Sequence, residues 1–184
     1  PIIKGESIVL YEKEAYSQDK LHIEVSDLDR NAQAPVIDDS HVDTDVAGTY
    51  QIKVTVLDTD GNQAEKYLYV QVVGKTRFVE IPDLHTRKDM TLTKEQLLAN
   101  VKAVYDKPED MPEEPWTEAN KINNGRVAIT TAVEVRSFDE VNTGTIEKTK
   151  INLSASGMIH GREMTGKADA ERDIYIHGMP VIVA

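Results

Sequence analysis

The longest regularity in this chain is an alternation. Tyr50, Ile52, Val54 and Val56 are apolar while Gln51, Lys53 and Thr55 between them are polar, the period of two of a strand with one buried face. Asp60-Gly61 follows, and the chain resumes as Ala64-Glu65-Lys66-Tyr67-Leu68-Tyr69-Val70-Gln71-Val72-Val73. Asp-Gly tolerates positive φ, so the stretch predicts a hairpin. Its expected core is Tyr50, Ile52, Val54, Val56, Leu68, Val70 and Val72, with Gly48 and Gly61 serving turns. Shorter strands are expected at residues 7–11, at 21–25 with Leu21, Ile23 and Val25 inward, and around 41–43. The polar stretch 26–35 reads as a loop.

Gly74 marks a boundary, after which the pattern changes. A strand is expected at 77–81, and Thr93-Lys94-Glu95-Gln96 then has the form of a capping box. Leu97, Leu98, Val101, Val104 and Tyr105 follow at the spacing of one apolar stripe, which predicts a helix over 94–105 that ends before Pro108. Pro108 to Pro115, with Glu109, Asp110, Glu113 and Glu114, is a stiff acidic loop leading to Trp116, the only tryptophan. The period of two returns with Val127, Ile129, Thr131, Val133 and Val135 on one side. Further strands are expected at 146–158, with Ile151, Leu153 and Ala155 inward, and at 172–177. Asn142-Thr143-Gly144 and His160-Gly161 read as their turns.

Within the first hairpin region, Val42-Asp43-Thr44, Gly48-Thr49-Tyr50 and Asp60-Gly61-Asn62 occur in a fixed order and spacing. The series resembles the last strands of the bacterial immunoglobulin-like repeats of Gram-positive cell-surface proteins, and the resemblance covers residues 1–74. It implies a mainly β chain with an immunoglobulin-like β-sandwich over 1–74. A second β-rich domain, sandwich or α+β, would occupy 75–179 and carry the inserted helix. Such repeats commonly begin with Pro-x-Ile, so Pro180-Val181-Ile182, which echoes Pro1-Ile2-Ile3, is expected to open a following module at 180–184. The resemblance further implies a non-catalytic, extracellular module, cell-wall or secreted. It would act as a stalk and an adhesion or ligand-binding repeat, with an extracellular protein or glycan as partner. The alternative is an accessory domain pair, carbohydrate-binding or spacer, of a secreted carbohydrate-active or cell-wall enzyme whose catalytic domain lies outside this segment.

Composition narrows the partners. Among 184 residues, 21 basic side chains face 32 acidic ones for a net charge of −11, which disfavours nucleic acid or an anionic membrane. Residues 1–74 hold 6 of the basic and 14 of the acidic groups. There is no cysteine, so no disulfide or thiolate metal site holds the fold. No apolar run approaches the ~20 residues of a spanning helix, and the start at Pro1 has no charged-then-apolar leader. The chain is therefore expected to be a fragment or mature product, with any export signal or wall anchor outside it.

Acidic groups are the chemistry present in quantity, so calcium is the cofactor to weigh. Asp58, Asp60 and Asn62 have the i, i+2, i+4 spacing of oxygen ligands, and Asp27, Asp29, Asp43 and Asp45 stand in neighbouring loops. An EF-hand is excluded, because the positions that need Gly and Glu are Gln63 and Tyr69. The competing reading makes the same residues a hairpin turn whose side chains cap backbone amides. The five histidines show no close pair in sequence, and solvated strand residues explain them better than a metal site; the alternative is His160 and His177 meeting across the last hairpin. Ser154-Ala155-Ser156-Gly157 lacks the Gly of a nucleophile elbow, since Asn152 stands there, and Glu113-Glu114 are adjacent on a loop. No catalytic residue is expected. An intramolecular Lys–Asn crosslink is disfavoured because Lys53, Lys150 and Asn152 fall on outward phases, which leaves Lys66 as the residual candidate. Trp116 is the candidate for ligand recognition, since an aromatic on a rigid loop can stack on a sugar ring or a partner side chain. Otherwise it covers the apolar face of the 94–105 helix.

Overall fold

The computed structural model describes residues 1–27, 32–116, 127–163 and 165–178. Asp29 and the expected module start at 180–184 lie outside them. The chain divides into two compact units, one of Pro1–Lys75 with Asp106–Thr130 and the other of Thr76–Tyr105 with Thr131–Ala184.

The first unit contains β1 (Ile2–Lys4), β2 (Ile8–Tyr11), β3 (Glu24–Ser26), β4 (Val36–Asp38), β5 (Gly48–Leu57) and β6 (Gln63–Val73). β1 pairs antiparallel with β3, and the others form a sheet in the order β2-β6-β5-β4. β2 lies parallel to β6, with Ile8 opposite Val70. The first strand thus changes sheets between β1 and β2, at Gly5. A Cβ there would come within 2.8 Å of the Leu68 side chain, so a larger residue at the crossing would have to shift Leu68. Ile3 and Leu21 meet Tyr50, Ile52, Val54, Val56, Leu68, Val70 and Val72 in one core. Each fully buried aliphatic contributes about 1.5–3 kcal/mol. This is the immunoglobulin-like sandwich, and the expected core is the observed one.

Two details differ from the sequence expectation. Leu21 is fully buried, but it ends a 3-10 turn (Gln18–Leu21), and His22 follows at φ 48. Residues 41–43 form turns instead of a strand, with Val42 N–H donating to Asp39 O and Val46 N–H to Asp43 O. The strand beside β5 is instead β4, on the sheet edge, where Ile37 faces Val54. The turns at 39–46 exist to meet Tyr50: its buried hydroxyl reaches the carbonyls of Asp43 and Val46 at 2.7 Å each. That arrangement is the tyrosine corner of immunoglobulin-like sandwiches.

The second unit draws on β7 (Arg77–Glu80), β8 (Leu84–Arg87), α1 (Lys94–Leu98), β9 (Lys102–Pro108), β10 (Ala128–Val133), β11 (Val135–Arg136), β12 (Lys148–Ala155) and β13 (Ala168–His177). Its main sheet has the order β11-β12-β13-β8, with β13 and β8 parallel. β7 pairs antiparallel with β9 through a bulge between Phe78 and Glu80. Leu97, Ala103, Val135, Ile151, Leu153, Ala155, Ile174 and Ile176 form the core. The His160-Gly161 turn is as expected, with φ 50 and 73 between the bridged residues Ile159 and Arg162. Thr131 and Val133 keep the inward phase, whereas Ile129, in the part of β10 assigned to the first unit, is 66% exposed.

The helix expected over 94–105 requires correction. The capping box is present, with Gln96 N–H on the Thr93 hydroxyl at 3.1 Å and Thr93 N–H on the Gln96 side chain at 2.9 Å. The helix nevertheless ends at Leu98, and Asn100 adopts φ 62, a left-handed stop. Beyond it Ala103 and Tyr105 are buried and Lys102 is exposed, a period of two that the apolar stripe at 97, 98, 101, 104 and 105 had masked. Tertiary pairing with β7 decides the outcome.

Arg172 is buried in this second core. Its Nε donates to Pro82 O at 3.0 Å and its Nη1 to Leu97 O at 2.8 Å. Leu97 O belongs to the last turn of α1, where carbonyls lack helical partners. Burial pushes the guanidinium pKa down, and the nearby Asp83 opposes that shift.

Candidate ligand-binding site

Trp116 sits on the first unit, not over α1. Strand parity sends Thr49, Gln51, Tyr69 and Gln71 to the side of β5 and β6 away from the core, where solvent is expected. They are 1%, 5%, 7% and 2% exposed. Residues Glu109–Trp116, the acidic proline-bounded loop, lie across them. The Glu109 carbonyl accepts from the Thr49 hydroxyl and from Gln71 Nε2, the latter at 2.9 Å. Trp116 N–H donates to Gln51 Oε1 at 2.6 Å, and Gln51 Nε2 reaches the Trp116 carbonyl at 3.5 Å. The Tyr69 hydroxyl lies 3.2 Å from Gln51 Oε1 and 3.4 Å from the Glu114 carbonyl. Burial is the largest cause that raises the Tyr69 pKa.

The Trp116 ring meets Tyr69 edge to face, with centroids 5.8 Å apart and planes at 68°, a favoured geometry for aromatic pairs. The ring is half-buried, so part of it remains open to a ligand. The arm is anchored at its base by Gly74, whose N–H donates to Asp106 O at 3.0 Å. A Cβ at Gly74 would sit 2.8 Å from the Asp106 side chain, so the close approach requires glycine. Glu113 and Glu114 are exposed on the arm and form no water-poor pair.

Asp58, Asp60 and Asn62 do come together, as a turn. Asp58 Oδ1 accepts from Asp60 N–H at 2.9 Å and Asn62 N–H at 2.8 Å, while Oδ2 accepts from Asn62 Nδ2 at 2.8 Å. The Asn62 side-chain bond is the main cause that holds the Asp58 carboxyl below its usual pKa. Asp43 likewise accepts from Asp45 N–H at 3.0 Å. Among the described residues no group of three or more His, Asp or Glu is placed to hold a metal ion.

No family model and no curated protein matches this chain. Among solved structures, a crystal form of protocadherin gamma B7 extracellular cadherin domains 1–4 is similar at 12% identity with a TM-score of 0.34. The match covers 96% of this chain and 51% of that one, so the chain spans about half its length. Among the described residues no helix is long and apolar enough to cross a membrane.

His160 and His177, the pairing weighed from the sequence, lie at opposite ends of β13. His160 follows the end of β12 that meets the start of β13, while His177 is at the far end of β13. His177 instead meets His85, Nδ1 of His85 lying 2.8 Å from Nε2 of His177. Centroids 5.1 Å apart and planes at 13° put the two rings edge to edge in line, joined through one proton. A metal ion would need both of those lone pairs. Lys53 and Lys150 point outward, to Glu65 at 3.2 Å and Glu171 at 3.1 Å. Lys66 is half-buried at the start of β6 opposite Val54.

The sequence reading missed the arm's anchors, Thr49, Gln51, Tyr69 and Gln71. The available signal was their identity. Two glutamines and a tyrosine placed outward at paired strand positions form a hydrogen-bonding array that long charged side chains would not.

Proposed function

We propose that this chain is a non-catalytic extracellular module of a bacterial cell-wall or secreted protein, serving as a stalk and a ligand-binding repeat. The observation that carries this reading is the tyrosine corner. The Val-Asp-Thr and Gly-Thr-Tyr residues that resemble the Gram-positive repeats are the ones that build it, through Tyr50 on the Asp43 and Val46 carbonyls. Function beyond the fold is argued from the site. Trp116, half-buried beside Tyr69 on a proline-bounded segment, is a rigid aromatic surface suited to a sugar ring or a protein side chain.

The same ring favours a second reading, a carbohydrate-binding accessory domain of a secreted carbohydrate-active or cell-wall enzyme. One experiment addresses both: binding of the labelled chain to arrays of glycans and host-matrix proteins. Retention on matrix proteins that Trp116→Ala abolishes supports the adhesive module, and retention on wall or plant glycans supports the accessory role. Binding that Trp116→Ala leaves unchanged overturns the assignment of the site.

A further inference from the structure

We propose that His85 and His177 form a pH-sensitive clasp, closed at neutral pH and open in acid, that fastens the edge strand β8 to β13.

Among the described residues β8 has one strand neighbour, β13, and it is four residues long. The two strands run parallel, with Tyr175 opposite His85 and His177 opposite Arg87. Ile174 and Ile176 face the core, so these four side chains share the outer face. Nδ1 of His85 lies 2.8 Å from Nε2 of His177. A contact of that length needs one donor and one acceptor, and neutral imidazole rings supply both. Tyr175 stacks on His85 with centroids 5.0 Å apart and planes at 14°, which holds the ring in the orientation the bond requires.

Acid removes the acceptor. Once both rings are protonated every ring nitrogen carries a hydrogen, so two N–H groups meet at the contact and two positive charges stand side by side. The neighbouring charges come from three segments: Asp83, Arg87 and Lys88 in and around β8, Asp173 on β13, and Glu147 and Lys148 at the start of β12. Arg87 is the cross-strand partner of His177 and adds a further cation. Asp173 is already paired with Lys148 at 3.2 Å. Asp83 lies beyond His85 on the side away from His177, and Glu147 has the opposite strand phase from Lys148. Lys148 Nζ stands 5.5 Å from the centre of the Tyr175 ring, the same ring on which a charged His85 would stack. In the unfolded chain the two imidazoles are apart and both take up protons without this repulsion. The clasp's stabilisation is therefore present above the ordinary imidazole range, roughly pH 6.5, and is lost below it. The clasp sits where the chain leaves β8, beside the bond from Lys88 N–H to the His177 carbonyl at 2.8 Å.

The test is amide hydrogen exchange by NMR on the 15N-labelled chain with chelator present. Lys88 is read as a protection factor, so that the pH dependence of intrinsic exchange cancels. From about pH 7.5 to about pH 5 the parent should lose about two- to tenfold of this protection, the equivalent of one ordinary hydrogen bond. His85→Phe and His177→Phe keep a ring on the face and offer no nitrogen, so each should remove the drop. A parent whose Lys88 protection is the same at both pH values overturns the proposal, as does a drop of equal size in either variant.

Discussion

The main-chain N–H of Trp116 donates to the side-chain oxygen of Gln51 at 2.6 Å, across 65 positions of chain. Gln51 lies on the side of β5 opposite the core, so the bond closes a face that strand alternation assigns to water. Its geometry turns a surface residue into a buried one, and a buried amide must be satisfied.

The tyrosine corner makes Tyr50→Phe informative. The ring stays in the core while the hydroxyl's bonds to the Asp43 and Val46 carbonyls are lost. The expected cost is about 1–2 kcal/mol, seen as a lower urea midpoint with an unchanged slope. A midpoint equal to the parent's would show that the corner contributes nothing.

Val54 is fully buried in β5. Val54→Asp places an unpaired carboxylate there and should unfold the first unit. Far-UV circular dichroism and the melt check it, and a parent-like melt would refute the strand phase.

Arg172 separates packing from hydrogen bonding in the second unit. Arg172→Ala leaves a cavity and orphans the Pro82 and Leu97 carbonyls, for an expected loss of about 3 kcal/mol or more. Arg172→Met refills the volume and should recover a large part of that loss. Equal destabilisation by both variants would assign the whole effect to the guanidinium contacts.

Asp58 links the first hairpin to pH. Its folded-state pKa lies below the ordinary 3.8, so its stabilisation is complete above that value and is lost as pH falls through the depressed one. The difference in melting temperature between the parent and Asp58→Ala should therefore narrow in acid below the ordinary carboxylate range. A pH-independent difference would contradict it. Because both Asp58 oxygens already accept N–H donors, calcium and chelator should give the same parental melt. A calcium-dependent rise would restore the metal reading.

Local regularities were legible in both units. The alternation at Tyr50–Val56, the Asp60-Gly61 turn and the Thr93–Gln96 capping box each depend on neighbours a few residues apart, and each appears as expected. What stayed hidden depends on distant partners. The strand at Lys102–Pro108 reads as a helix because Leu97, Leu98, Val101, Val104 and Tyr105 fit a helical stripe that masks the period of two at Ala103 and Tyr105, and only pairing with Arg77–Glu80 decides between them. The meeting of His85 with His177 requires a parallel pair of strands 92 positions apart. Trp116 was visible as an exceptional residue, yet its partners Gln51 and Tyr69 carry no motif, since a polar residue on an outward strand position has the same spelling whether water or an arm covers it.

Trp116 emission measures that covering most directly, because no other tryptophan contributes. The parent should emit at the shorter wavelength of a half-buried indole, and Gln51→Ala should shift it toward the solvent value while the far-UV spectrum is preserved. A parent spectrum already at the solvent value, or one that Gln51→Ala leaves unmoved, would contradict an arm fastened across the outer face of β5 and β6.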